Sequence, residues 1–334
     1  MQPYYYQTLS RPLQAAYHAI WEGLRSYSVS FPVPRLEGRV LGDLFLQVRL
    51  DHPMLFYADH FVYRHYPHAD HVLMEPRYWL EKKKVPELQK AMESRLEKLV
   101  RPWQNLPPAQ QLEAIHDFIC TQVRYDKLKK PYSHEITGPL GHGIGVCEGM
   151  AKTVKALCDA LGIWCMVVIS GANPEEGVKY RHAWNIVQLN GQYYHLDATF
   201  DRSLSRDGLI RYDYFNQSDA AIFRDHEPLV FPAPACTCSK GFYYTSHKLA
   251  FGSLEKVQDR ALQAMRKQKP LVFYWSGNRN STQLEQLIAL LQQTAAQKGQ
   301  YPTVRYNPCQ WVFAVQFSQH SAQQQICAEQ GTDG

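Results

Sequence analysis

No stretch of the 334-residue chain approaches the run of about 18 apolar residues that a bilayer-crossing helix needs. Met1 to Tyr6 carries no basic segment leading into an apolar one, so no secretory signal is expected either. Those two absences give the expectation of a soluble, cytoplasmic protein without a membrane partner. A strong charge of one sign is missing as well. Lys and Arg number 36 against 31 Asp and Glu, and the net +5 is scattered along the chain. The one compact basic run, Lys82 to Lys84, opens a mixed-charge helical pattern, and no basic aromatic platform follows, so nucleic-acid binding is not expected.

Eight cysteines is an ordinary density, and the reduced state is the default for such a chain. Cys158 and Cys165 fall on apolar patterns and read as core residues. Cys236-Thr237-Cys238 is a closely spaced pair, but structural zinc sites want two or more residues inside each pair and a second pair, which does not follow. No metal and no cofactor are expected. Gly141-His142-Gly143-Ile144-Gly145 has no strand before it and lacks the spacing of a dinucleotide loop, which leaves His142 as a loop residue. No acidic loop has calcium-ligand spacing, and no internal repeat is visible.

Hydrophobic residues make up 45% of the chain, enough for sizeable cores. Helical spacing marks Leu13 to Leu24, Glu87 to Val100 and Gln111 to Val123; Asp51 through Tyr66 reads as strand material after a proline-interrupted segment. Beyond proline-rich 228–238, the pattern predicts a strand at Phe242 to Leu249, a helix at Leu254 to Lys267 and a strand at Leu271 to Trp275. A helix at Thr282 to Gln297 and a strand at Trp311 to Phe317 complete it. The expected organisation is a helical and mixed extension over 1–108, a core over 109–230, a small α/β domain over 231–320 and a frayed tail over 321–334.

The chemistry concentrates in the middle. Cys147 stands in Gly-Val-Cys-Glu-Gly, His182 follows 35 residues on, and Asp197 15 residues after that. A thiolate nucleophile needs a base, and the base needs a group that fixes its tautomer. Met150, Val154, Leu157, Cys158 and Leu161 recur at helical spacing and Gly162 stands at the C-terminal cap, so a helix begins near Cys147. Its positive end favours a thiolate and offers amides to an oxyanion. Asn190-Gly191 between two alternating runs predicts a two-residue hairpin that opposes Trp184 to Asp197 and His182 to Thr199. His182 and Asp197 become diagonal neighbours about 7 Å apart at Cβ. His195 shares the face of Asp197 and is the second candidate base. Asn185 points to the other face and reads as structural; His116-Asp117 reads as helix packing.

Five further segments extend the pattern: Ile115-His116-Asp117, Val123-Arg124-Tyr125-Asp126, His182-Ala183-Trp184-Asn185, His195 to Asp201, and the tail Tyr214-Phe215-Asn216 with Asp225-His226. With Gly145 to Gly149 they resemble the transglutaminase-like core shared by transglutaminases, many bacterial cysteine peptidases and peptide N-glycanases. Met150 and Phe200 depart from that pattern, each by an apolar exchange. The resemblance implies an α+β, papain-like fold in which the cysteine's helix packs on an antiparallel sheet. It further implies that Cys147 is the nucleophile, His182 the general base and acid, and Asp197 the orienting carboxylate. Tyr125 or Tyr132, upstream of the cysteine, is the expected side-chain oxyanion donor, with Trp184 shielding the dyad. The expected activity is acyl transfer on the amides of a peptide or protein substrate. Hydrolysis is favoured over transfer from glutamine to an amine, and a non-catalytic scaffold is the alternative from another class.

Overall fold

The computed structural model describes residues 3–172, 181–319 and 325–332. The described residues divide into two compact units, one built from those within 3–191 with 229–233, the other from those within 192–228 and 234–332. The N-terminal hundred residues and the helix of Cys147 therefore belong to the same unit.

In the first unit, short α1 (Tyr4–Thr8) precedes α2 (Arg11–Arg25), which buries Ala16, Tyr17, Ile20 and Leu24. Strand β1 (Phe31–Pro34) joins a three-stranded antiparallel sheet with β2 (Ala58–His65) and β3 (His71–Tyr78), in the order β1-β3-β2. Between them lies a helix that the sequence reading passed over, α3 (Gly38–Asp51). Its Leu41, Leu44, Phe45 and Val48 keep helical spacing and are buried, but prolines on the upstream side mask the start of the pattern. Strand material consequently begins only at Ala58.

Helices α4 (Val85–Val100) and α5 (Pro108–Gln122) follow, then the two-residue strands β4 (Arg124–Tyr125) and β5 (Ile144–Gly145), paired in parallel. Helix α6 (Cys147–Leu161) is the centre of the unit, with Met150, Val154, Leu157 and Cys158 fully buried. Burying such side chains contributes roughly 1.5 to 3 kcal/mol each. Gly162 ends the helix at φ 74°, the left-handed conformation expected of it. The helix packs on β6 (Cys165–Ile169) and β7 (Ala183–Leu189), an antiparallel pair running from Cys165 opposite Val187 to Ile169 opposite Ala183. Asn185 closes this layer, its amide donating to the carbonyls of Ala151 at 2.9 Å and Met166 at 3.2 Å. Tyr5 ties α1 to the same strand through a 2.7 Å bond from its hydroxyl to the carbonyl of Val167.

After the turn at Asn190 (φ 51°) and Gly191 (φ 74°), which has the two positive φ values of a type I′ hairpin, the second unit opens with β8 (Gln192–Leu196). Helix α7 (Ala198–Leu204), strand β9 (Phe215–Gln217) and one-turn α8 (Asp219–Ile222) come next, β9 pairing antiparallel with β8. One-turn α9 (Tyr243–Ser246) occupies the segment expected as a strand. The carbonyl of Phe242 accepts from both Thr245 and Ser246, and the Tyr243 ring stacks on Tyr212 at 3.6 Å while Tyr244 is buried. Aromatic density in the sequence reads as strand character there, and a helical turn distributes those rings equally well.

The rest of the unit is a five-stranded mixed sheet in the order β10-β11-β13-β12-β14: Ala250–Phe251, Leu271–Trp275, Val312–Ser318, Tyr301–Asn307 and Ile326–Ala328. Helices α10 (Leu254–Lys267) and α11 (Ser281–Ala296) bury Val257, Ala261, Leu287 and Leu291 with Phe273, Trp275, Val304 and Phe313 of the sheet. Strand β14 corrects the expectation of a frayed tail: Ile326 to Ala328 pairs in parallel with Val304 to Tyr306, because β12 would otherwise leave an edge unpaired. Positions 321–324 and 333–334 of that tail lie outside the described residues.

Asp51, at the end of α3, is buried and accepts a 2.8 Å bond from the Tyr17 hydroxyl. Burial outweighs that bond and pushes its carboxyl up to about 6. The folded form thus keeps a proton that the unfolded chain releases near pH 4, so stability is lost as pH rises through about 4 to 6. Asp51→Asn, which keeps the acceptor for Tyr17, is expected to raise stability on the order of 2 kcal/mol near pH 8 and to change little near pH 4. Thermal melts at the two pH values check this; equal effects at both would contradict it.

Candidate active site

Cys147 is the first residue of α6, preceded by Val146 in extended conformation. The backbone before it is held by the loop that follows β4. Asp126 accepts from the amides of Leu128 at 3.1 Å and Lys130 at 3.0 Å and from the Ser133 hydroxyl. The Ser133 hydroxyl leads these donors in holding the Asp126 carboxyl below its usual range. The Ser133 carbonyl in turn accepts from the Val146 amide at 3.0 Å. Gly149 meets the same carbonyl, and a Cβ there would lie 2.1 Å from its oxygen. Close approach of loop to helix is the reason for glycine at that point.

Four charges sit beneath this helix start. Lys152, with no exposed side-chain surface, reaches Glu135 and Glu148 at 2.8 Å each. Arg49 of α3 pairs with Glu135, and His134 approaches Glu148 at 3.6 Å. Two cations and two carboxylates balance, which is the condition for keeping buried charges. Burial pushes the Glu148 carboxyl up, but Lys152, His134 and Arg49 together overcome this and hold it below the carboxylate range. An anion in the first turn also suits the helix dipole.

A cavity of about 320 Å³ opens over the helix start, lined by Cys147, His182, Tyr125, Leu46, Lys129, His134 and their neighbours. His182 precedes β7. Its amide donates to the Ser170 hydroxyl at 3.2 Å, and its carbonyl accepts from the Ser170 amide at 2.9 Å, which prolongs the β6–β7 ladder by one residue. The Trp184 ring stacks on the imidazole at 5.5 Å between centroids and is 1% exposed. It is not among the residues lining the cavity. Of the two tyrosines, Tyr125 lines it; Tyr132 packs its ring on His142 at 4.5 Å instead.

Asp197 belongs to the second unit, where it caps α7: its Oδ1 accepts from the amides of Thr199 at 2.9 Å and Phe200 at 3.1 Å. Its Oδ2 lies 2.9 Å from Nε2 of His226, whose other ring nitrogen is 3.0 Å from Asp225. No local pattern in the sequence announces this pair, although Asp225-His226 belongs to the segments that carry the resemblance. His195 is fully buried with its Nε2 2.8 Å from Asp219, a partner not foreseen. His116 is also buried and packs beside Asp117 and Cys120 on its own helix.

Residues 98–198 match the family model of the transglutaminase-like superfamily. This chain therefore carries a transglutaminase-like core within an α+β fold. Among solved structures it is similar to a TGase (13% identity, 42% of this chain, 43% of that one, TM-score 0.29). It is also similar to a candidate cysteine protease from Cytophaga hutchinsonii (16%, 42% and 61%, 0.28) and to menin, in a structure revealing the binding site for the Mixed Lineage Leukemia protein (14%, 63% and 42%, 0.27). The chain spans less than two thirds of each. No curated protein matches it.

Removing the central cation of the buried network tests its role. Lys152→Ala leaves Glu135 and Glu148 facing each other without their shared partner and is expected to cost about 3 to 5 kcal/mol, read from urea unfolding. A loss below about 1 kcal/mol would show that the charges are not mutually dependent.

Proposed function

We propose that the protein is a cysteine-dependent enzyme that transfers acyl groups from amides, with Cys147 as nucleophile, His182 as general base and acid, and Asp197 as the orienting carboxylate. The observation that carries this reading is that Cys147, at a helix N-terminus, and His182 line one cavity. The place of Asp197 in this reading comes from the sequence, where the resemblance implies an orienting carboxylate at this position. Its bond to His226 leaves this role open, because a carboxylate has about four acceptor positions.

In the reaction, His182 takes the thiol proton and the Cys147 sulfur attacks the carbonyl carbon. The oxyanion forms against the amide of Cys147, with the Tyr125 hydroxyl as the side-chain donor. The C–N bond then breaks, His182 gives its proton to the leaving amine, and a thioester remains. Water, deprotonated by His182, attacks the thioester, releases the acid and restores the thiol. Hydrolysis of a peptide or related amide is the favoured outcome; with an amine in place of water the same steps give transamidation, including transfer from glutamine. A cytoplasmic site of action is part of the same proposal; no helix among the described residues is long and apolar enough to cross a membrane.

A mixed peptide library, incubated with and without a primary amine and followed by mass spectrometry, tests the reading. Cleaved peptides, or glutamine adducts with the amine, are expected from the native protein. Cys147→Ala and His182→Ala should each lower the rate by about a thousandfold or more. If the native protein does neither, or Cys147→Ala turns over equally well, the non-catalytic scaffold becomes the better account.

A further inference from the structure

Cys236 is half of a Cys-x-Cys pair that lacks a second pair for zinc. The fold of the second unit supplies different companions. His195 of β8, Asp219 at the start of α8 and Cys236 of the following loop bring Nε2, a carboxylate oxygen and Sγ within 4.8 Å of one another. We propose that these three side chains form a binding site for a zinc-class divalent metal ion, with solvent as the fourth ligand.

The donor set is the first argument. One imidazole nitrogen, one carboxylate oxygen and one sulfur make a borderline-soft set, suited to zinc or cobalt rather than to calcium or magnesium. Rigidity is the second. The Asp219 amide donates to the Cys236 carbonyl at 2.8 Å, and the Cys236 amide donates back to Asp219 Oδ2 at 2.8 Å, so two ligands seventeen residues apart hold each other in place. That bond occupies Oδ2 and turns Oδ1 toward His195 at 2.8 Å. Zinc bonds of about 2.0 to 2.1 Å set a tetrahedral edge near 3.3 Å, so the imidazole and carboxylate would part by about half an ångström to admit the ion.

Access is the third argument. His195 and Cys236 are fully buried, whereas the Asp219 side chain is 37% exposed, which leaves one side through which an ion enters and keeps a water. The remaining contact of the sulfur is a weak one, 3.7 Å to the carbonyl of Pro234. Cys238, two residues on, takes the Tyr194 hydroxyl at 3.2 Å and stands outside the set. Within the second unit, a bound ion would pin the 234–238 loop to β8. None of this depends on the acyl-transfer reading, since the site shares no residue with it.

The test is a titration of the metal-depleted full chain with Co²⁺, followed by absorption, then by displacement with Zn²⁺. One equivalent is expected to bind with a thiolate-to-cobalt charge-transfer band and the ligand-field bands of a tetrahedral ion, and Zn²⁺ should abolish both. Cys147→Ala should keep the spectrum, Cys236→Ala should lose the charge-transfer band, and Asp219→Asn, which keeps the two loop hydrogen bonds, should weaken binding about tenfold or more. Absence of the charge-transfer band in the native protein, or its survival in Cys236→Ala, would overturn the proposal. Should Cys236→Ala not fold, unchanged affinity in Asp219→Asn would overturn it equally.

Discussion

Everything proposed for the cavity depends on the buried charges under the start of α6. Arg49, Glu135, Lys152 and Glu148 come from an N-terminal helix, the loop before the nucleophile and two positions of the nucleophile's own helix. Ion pairs of this kind are poor sources of net stability, because desolvation consumes most of the attraction. What they supply here is position. Any shift of the loop at 131–135 or of α3 would leave Lys152 and Glu135, which have almost no exposed surface, without their partners, and this holds the first turn of α6 in place. Gly149 removes the steric obstacle to that arrangement, and Asp126 braces the loop from the other end.

This gives the N-terminal hundred residues a physical purpose. They are in the same compact unit as Cys147, contribute Arg49 to the network and place Leu46 on the cavity wall. The catalytic proposal thus concerns more of the chain than the matched segment at 98–198. Asp197 plays a comparable double part in its own unit, capping α7 with one oxygen and meeting His226 with the other. A carboxylate with several fixed donors is well oriented, which suits the role proposed for it.

Local rules explain what was legible beforehand. Helix α6 shows in the spacing from Met150 to Leu161 and in Gly162; the turn shows in Asn190-Gly191, whose φ values have the expected sign. The core roles of Cys158, Cys165 and Asn185 follow from the same periodicities. Partners far apart in sequence were not legible. Nothing near Lys152 in sequence marks it until Glu135 is placed beside it, and His195 reads as a spare base until Asp219 arrives from beyond β9. Composition misled at Phe242 to Leu249, where aromatic residues fit a helical turn, and at the tail, where Ile326 to Ala328 finds a strand edge that no local pattern announces.

The central claim is that Cys147 is a nucleophile whose reactivity depends on His182. The most direct measurement is the rate at which limiting iodoacetamide modifies each cysteine of the native protein, mapped by mass spectrometry, in the unaltered chain and in His182→Ala. The account predicts that Cys147 reacts first, ahead of more exposed cysteines such as Cys238 and Cys327, and that the substitution slows it selectively. Modification of Cys147 no faster than of the others, or at a rate indifferent to His182, would contradict it.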